Sequence, residues 1–120
     1  MPREITTHHV DGLGTELKIT AADNIIQGGA CALYQLGFDG SANSLKIALP
    51  FQLSVNDREN PVTNEALLAV IADRLQSFQE GPLACQENAT ALTHCQYALM
   101  ALHRRTRDRT QRGVSGTDLK

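Results

Sequence analysis

The chain has 120 residues, of which 42% are hydrophobic and 20% charged, with no Trp and only five Phe and Tyr. That length gives one domain around one small core, which excludes a two-domain enzyme, and the globular composition excludes a disordered chain. The longest apolar run, Ala66 to Ala72, is far short of the ~18 residues a membrane span needs, and no apolar block follows the polar start Met1-Pro2-Arg3-Glu4, so a soluble intracellular protein is expected.

The formal net charge of -2 hides an uneven distribution. Residues 1 to 102 carry five basic and eleven acidic side chains, whereas residues 103 to 112 carry Arg104, Arg105, Arg107, Arg109 and Arg112 against Asp108 alone. Something anionic is therefore expected near the C-terminus. Cys31, Cys85 and Cys95 lack metal-type spacing and are expected to be reduced and buried.

The first sixty residues read as β. Glu4 to Val10 is β-prone, Asp11-Gly12-Leu13-Gly14 supplies a turn, and Leu17 and Ile19 alternate with polar neighbours over Thr15 to Thr20. After Gly28-Gly29, Ala30 to Phe38 forms a third strand, and Asp39-Gly40-Ser41 turns into a fourth through Leu45, Ile47 and Leu49 that continues toward Phe51 and Leu53.

At residue 63 the period changes. Thr63 is a candidate N-cap, and Asn64, Leu68, Ile71, Leu75 and Phe78 recur at helical spacing until Gly81-Pro82. From Leu83 a second stripe runs through Cys85, Asn88, Leu92, Cys95, Leu99, Leu102, Thr106 and Arg109, with no Gly or Pro before Gly113. A short link between two such helices makes an antiparallel hairpin in which the second helix outruns the first. The fold class is α+β: an N-terminal antiparallel sheet of about four or five strands, then the hairpin. Residues 1-120 form a single domain, with the sheet over 1-59, the hairpin over 63-113 and a flexible tail over 114-120. Leu67, Val70 and Ala72 beside one stripe and Ala91, Ala98 and Leu102 beside the other leave apolar helix surface that suits self-association.

Arg105, Arg109 and Arg112 share one helix side, which suits bidentate phosphate contacts; cations near a helix C-terminus also complement its dipole, and both accounts stand. Asn88 in the seam either fixes register or reads a ligand, and Phe78 is either core or a stacking ring. No nucleophile motif, metal spacing or phosphate loop occurs around His8, His9, His94, His103 or the glycine pairs, so no enzyme, catalytic residue, metal or cofactor is expected.

The order and spacing of Thr63-Asn64-Glu65-Ala66-Leu67-Leu68, Asp73-Arg74-Leu75-Gln76-Ser77-Phe78-Gln79, Ala84-Cys85-Gln86-Glu87-Asn88, Arg104-Arg105-Thr106-Arg107-Asp108-Arg109 and Arg112-Gly113-Val114 resemble the phage anti-Thoeris sponge proteins, whose hairpin is related to that of anti-CBASS sponges. Gly28-Gly29-Ala30, Tyr34 and Phe51-Gln52 extend the resemblance weakly into the sheet region. The resemblance implies a protein in the cytoplasm of the infected bacterial host that sequesters glycocyclic ADP-ribose, as the 1''-2' or 1''-3' isomer, without degrading it. Thoeris effector activation is thereby blocked. It also implies binding of cyclic di- or trinucleotides by some members, assembly as dimers and as hexamers built as trimers of dimers, and no membrane or nucleic-acid partner. Carried over by position, Phe78 resembles the base-stacking ring, Asn88 the amide beside it, and Arg105 and Arg109 the phosphate-binding arginines. Arg58 and Arg112 are additional candidates for phosphate contact. The residue-level alternative is a nucleic-acid-binding or structural homo-oligomer using the arginine-rich helix end.

Overall fold

The computed structural model describes residues 2–22, 31–40, 42–53, 57 and 59–111. Four strands, β1 (Arg3–Ile5), β2 (Lys18–Ala21), β3 (Leu33–Asp39) and β4 (Ser44–Pro50), precede two helices, α1 (Asn64–Gln79) and α2 (Gln86–Gln111). The fold is α+β, as the change of period indicates. It divides into two compact units, Met1–Pro61 and Val62–Lys120.

The strands form one antiparallel meander in the order β1-β2-β3-β4. Because side chains alternate across a strand, the register places Ile5, Ile19, Leu36 and Ile47 in one cross-strand row, flanked by Ala21-Tyr34-Leu49 and by Phe38-Leu45. The opposite face carries Lys18, Gly37 and Lys46 in one row and Glu4, Thr20, Gln35 and Ala48 in the next. Tyr34 meets Phe51 edge-on at 5.3 Å between centroids, extending the apolar row beyond the end of β4.

Several boundaries differ from the sequence reading. β1 ends at Ile5 instead of running to Val10, because the chain turns at Thr6, whose carbonyl accepts from His9 N–H at 2.9 Å. Val10 and Leu13 then close a two-residue turn in which Asp11 and Gly12 both have positive φ, 50° and 82°, the combination a tight hairpin requires. A ring nitrogen of His8 holds this excursion to the Leu17 carbonyl at 2.8 Å. β4 stops at Pro50, after which Phe51 donates a single bond to the Ala32 carbonyl at 2.7 Å. Gly40 is required by close approach: a Cβ there would lie 2.6 Å from the Asn43 carbonyl and 2.7 Å from the Phe38 ring. The expected break at Gly28-Gly29 lies outside the described residues.

Between the sheet and α1, one carboxylate organises the connection. Asp57 accepts from the backbone N–H groups of Leu53, Glu59 and Asn60 and from Asn60 Nδ2, all between 3.0 and 3.1 Å. The bonds from Leu53 N–H and the Asn60 amide, which favour the ionised form most, lower its pKa from 3.8 to about 2.

Thr63 caps α1 as its spacing indicates: its backbone is extended (φ -129°, ψ 159°) and its hydroxyl accepts from Ala66 N–H at 3.1 Å. The helix ends at Glu80, whose N–H is shared between the Gln76 and Ser77 carbonyls at 3.2 Å each, so the stop needs no left-handed glycine and Gly81 merely follows it. α1 and α2 pack together, and the short link makes them antiparallel. The less exposed face of α1 is Glu65, Leu68, Ala72, Leu75, Phe78 and Gln79, so Asn64 and Ile71 of the expected stripe are exposed. On α2 the less exposed face includes Asn88, Leu92, Cys95, Leu99, Leu102 and Arg109 as read, whereas Thr106 is exposed. α2 begins at Gln86, three residues later than read, because Leu83 to Cys85 belong to the link. The thiols are not uniformly buried: Cys31 is buried, Cys95 partly so and Cys85 exposed.

Two measurements check these local devices. Thr63→Ala removes the α1 cap and is expected to cost about 1 kcal/mol in denaturant unfolding, with Thr63→Ser close to the parent. Asp57 binds its proton less readily when folded, so its stabilisation is full above pH 3.8 and declines as pH falls toward about 2. The carboxyl titration followed by NMR should show that low midpoint, and Asp57→Asn should remove this component of the acid sensitivity.

Candidate functional site

The chemistry-bearing side chains of the hairpin fall at its two ends. At the link end, Phe78 occupies the last turn of α1, and Arg74, one turn earlier, places its guanidinium carbon 5.3 Å from the ring centroid. Residues four apart on a helix are surface neighbours, and this separation is within cation–π range.

The link is tied from both helices. Cys85 N–H donates to Gln79 Oε1 at 3.0 Å, and the Cys85 thiol in turn accepts from Asn88 N–H at 3.4 Å, so Cys85 caps α2 where a Ser or Asp is usual. Asn88 Nδ2 donates to the Leu83 carbonyl at 3.4 Å. Asn88 is thus half-buried in the seam with one amide proton committed to the link backbone, and no donor among the described residues bonds to its Oδ1.

The other end is set by length. α1 has 16 residues and α2 has 26, about 24 Å and about 39 Å, so roughly 15 Å of α2 extends past the start of α1. Arg104, Arg105, Arg107 and Arg109 lie on this extension; the first three are exposed and Arg109 is half-buried. Among the described residues the one salt bridge is Lys18–Glu4 at 4.0 Å, in the sheet. Among the described residues no carboxylate, Asp108 included, offsets the charge of Arg104, Arg105 and Arg107 by contact, and this is a surface that attracts anions.

The structure brings Phe78 and Asn88 to one end and Arg105 and Arg109 to the other. Seventeen residues separate Asn88 from Arg105 on one continuous helix, about 25 Å along its axis. Arg58 and Arg112 lie outside the described residues. Sequence reasoning missed Arg74, although its spacing to Phe78 was available as a signal, and it missed the thiol cap. No group of three or more His, Cys, Asp or Glu among the described residues could hold a metal ion, and no helix among them is long and apolar enough to cross a membrane. A groove over β2, β3 and β4 is lined by Lys18 and Lys46 but equally by Glu16 and Asp39, so it exerts no net pull on an anion.

Comparison with known proteins places these features in a family. Residues 43–107, more than half of the chain, match the Acb2/Tad1 hairpin domain, a stretch that includes Phe78, Asn88 and Arg105 and stops short of Arg109. The chain is also 51% identical over 61 residues to Thoeris anti-defense 1 of Bacillus phage SBSphiJ7. That match covers 51% of this chain and 43% of the relative, so it spans less than half of the relative's length. By its hairpin and by the motifs it shares with anti-Thoeris proteins, the chain belongs to the Acb2/Tad1 hairpin-domain family.

Proposed function

We propose that this chain is a phage anti-defence protein that binds a cyclic, doubly anionic nucleotide signal, glycocyclic ADP-ribose, and withholds it from the Thoeris effector without altering it. The observation that carries this reading is the exposed trio Arg104, Arg105 and Arg107, which no carboxylate among the described residues offsets by contact, on the part of α2 that α1 is too short to cover, in a chain of this family. Arg105 and Arg109 hold the phosphates, with Arg112 and Arg58 as further contacts; Phe78 stacks on a base and Asn88 bonds its edge. Cyclic di- or trinucleotides are further ligands under the same reading.

The separation of the two groups along α2 has a consequence. A compact ligand cannot touch Phe78 and Arg105 of one straight hairpin, so the site is completed by a second copy of the chain, as a dimer or a hexamer built from dimers. Exposed apolar side chains on the helices, Val70 at 57%, Ile71 at 46%, Tyr97 at 63% and Met100 at 54%, support self-association. Sequestration needs slow release and no catalytic group; burial of the ligand between two chains supplies the first. The protein then acts in the cytoplasm of the infected bacterium.

Purified protein incubated with a TIR-generated signal, then washed and heated, should return the signal chemically unchanged. A converted product makes it an enzyme, and failure to retain the signal ends the reading. Phe78→Ala and Arg105→Ala should each weaken calorimetric binding at least about tenfold, since each removes a stacking or charge-assisted contact. The same arginines suit a nucleic-acid binder, and that alternative requires DNA or RNA affinity that falls steeply with salt.

A further inference from the structure

Resting on the reading of Phe78 as the ring that stacks on the ligand's base, we propose that Arg74 is a positioning residue of that site: its guanidinium occupies one face of Phe78 and leaves the opposite face as the docking surface for the base. Three observations carry it. Arg74 and Phe78 are one turn apart on α1, and the guanidinium carbon lies 5.3 Å from the ring centroid. A helical side chain leans over the turn N-terminal to its own Cα, so the Phe78 ring lies over the turn that carries Arg74. The arginine is exposed and forms no salt bridge among the described residues, so no carboxylate competes with the ring for it.

A ring half-exposed at a helix end can rotate and offer either face, and a ligand that needs one orientation loses affinity to that freedom. A guanidinium against the negative ring face holds one orientation. The link that follows the ring is itself held: Gln79, the next residue, is bonded to Cys85, and Asn88 is bonded to Leu83.

The test is calorimetric titration of the full chain with glycocyclic ADP-ribose, alongside thermal melting. Arg74→Ala is expected to weaken binding roughly five- to thirtyfold, the range from an exposed to a desolvated cation–π contact, with an unchanged melting midpoint. Arg74→Lys, which keeps the charge and a weaker ring contact, should fall between. In a Phe78→Ala background Arg74→Ala should cause no further loss. Affinity within twofold of the parent for Arg74→Ala, while Phe78→Ala and Arg105→Ala both weaken binding, overturns this inference and leaves the functional reading standing. Losses for Arg74→Ala and Phe78→Ala that simply multiply overturn it too, because Arg74 then acts independently of the ring. If Phe78→Ala and Arg105→Ala bind as the parent does, the functional reading fails and takes the inference with it.

Discussion

The rise of an α-helix, about 1.5 Å per residue, is the constraint on which the rest of this hairpin depends. α2 is a single helix of 26 residues, so side chains at its two ends are held apart by its own hydrogen-bonded backbone. The ring and amide at the link and the arginines at the far end cannot approach each other by any local adjustment. What looks like one cluster in the sequence is two groups about 25 Å apart along α2, and the proposed function rests on a second copy of the chain to unite them.

Burial tells a consistent story. Among the described residues only Ala21 and Cys31 are buried, and large apolar side chains such as Val70, Tyr97 and Met100 stand more than half exposed. Burying a side chain of this size is worth about 1.5–3 kcal/mol, so a surface carrying several of them favours association. The sheet shows the same economy, with Leu45 at 38% and Ile47 at 41% exposure in rows that are otherwise apolar.

Polar side chains do most of the fine positioning. Asp57 gathers three backbone N–H groups and an amide to shape the approach to α1, Thr63 starts that helix, and Gln79, Cys85 and Asn88 bind the link between the helices. Each spends one side chain to satisfy backbone groups that a turn leaves unpaired. Asn88 bonds the link and also occupies the seam, so a structural role for this residue is established by its contact with Leu83 and a ligand contact through its remaining oxygen is compatible with it.

Period-two alternation at Leu17-Ile19 and Leu45-Ile47-Leu49, period 3.6 from Asn64 onward, and the Thr63 cap determined the α+β class and the hairpin from the sequence alone, because these signals depend on neighbours within a few residues. The shared motifs likewise point to the family from the sequence alone. Tertiary structure decided what local pattern cannot encode. It shifted the α1 seam from Ile71 to Ala72, cut β1 at Ile5, and made Cys85 a cap instead of a seam residue. It set Arg74 against Phe78 and left Arg105 without a carboxylate partner among the described residues. These outcomes depend on which side of each helix meets its neighbour and which donors a turn leaves unpaired, and both are settled only when the elements pack.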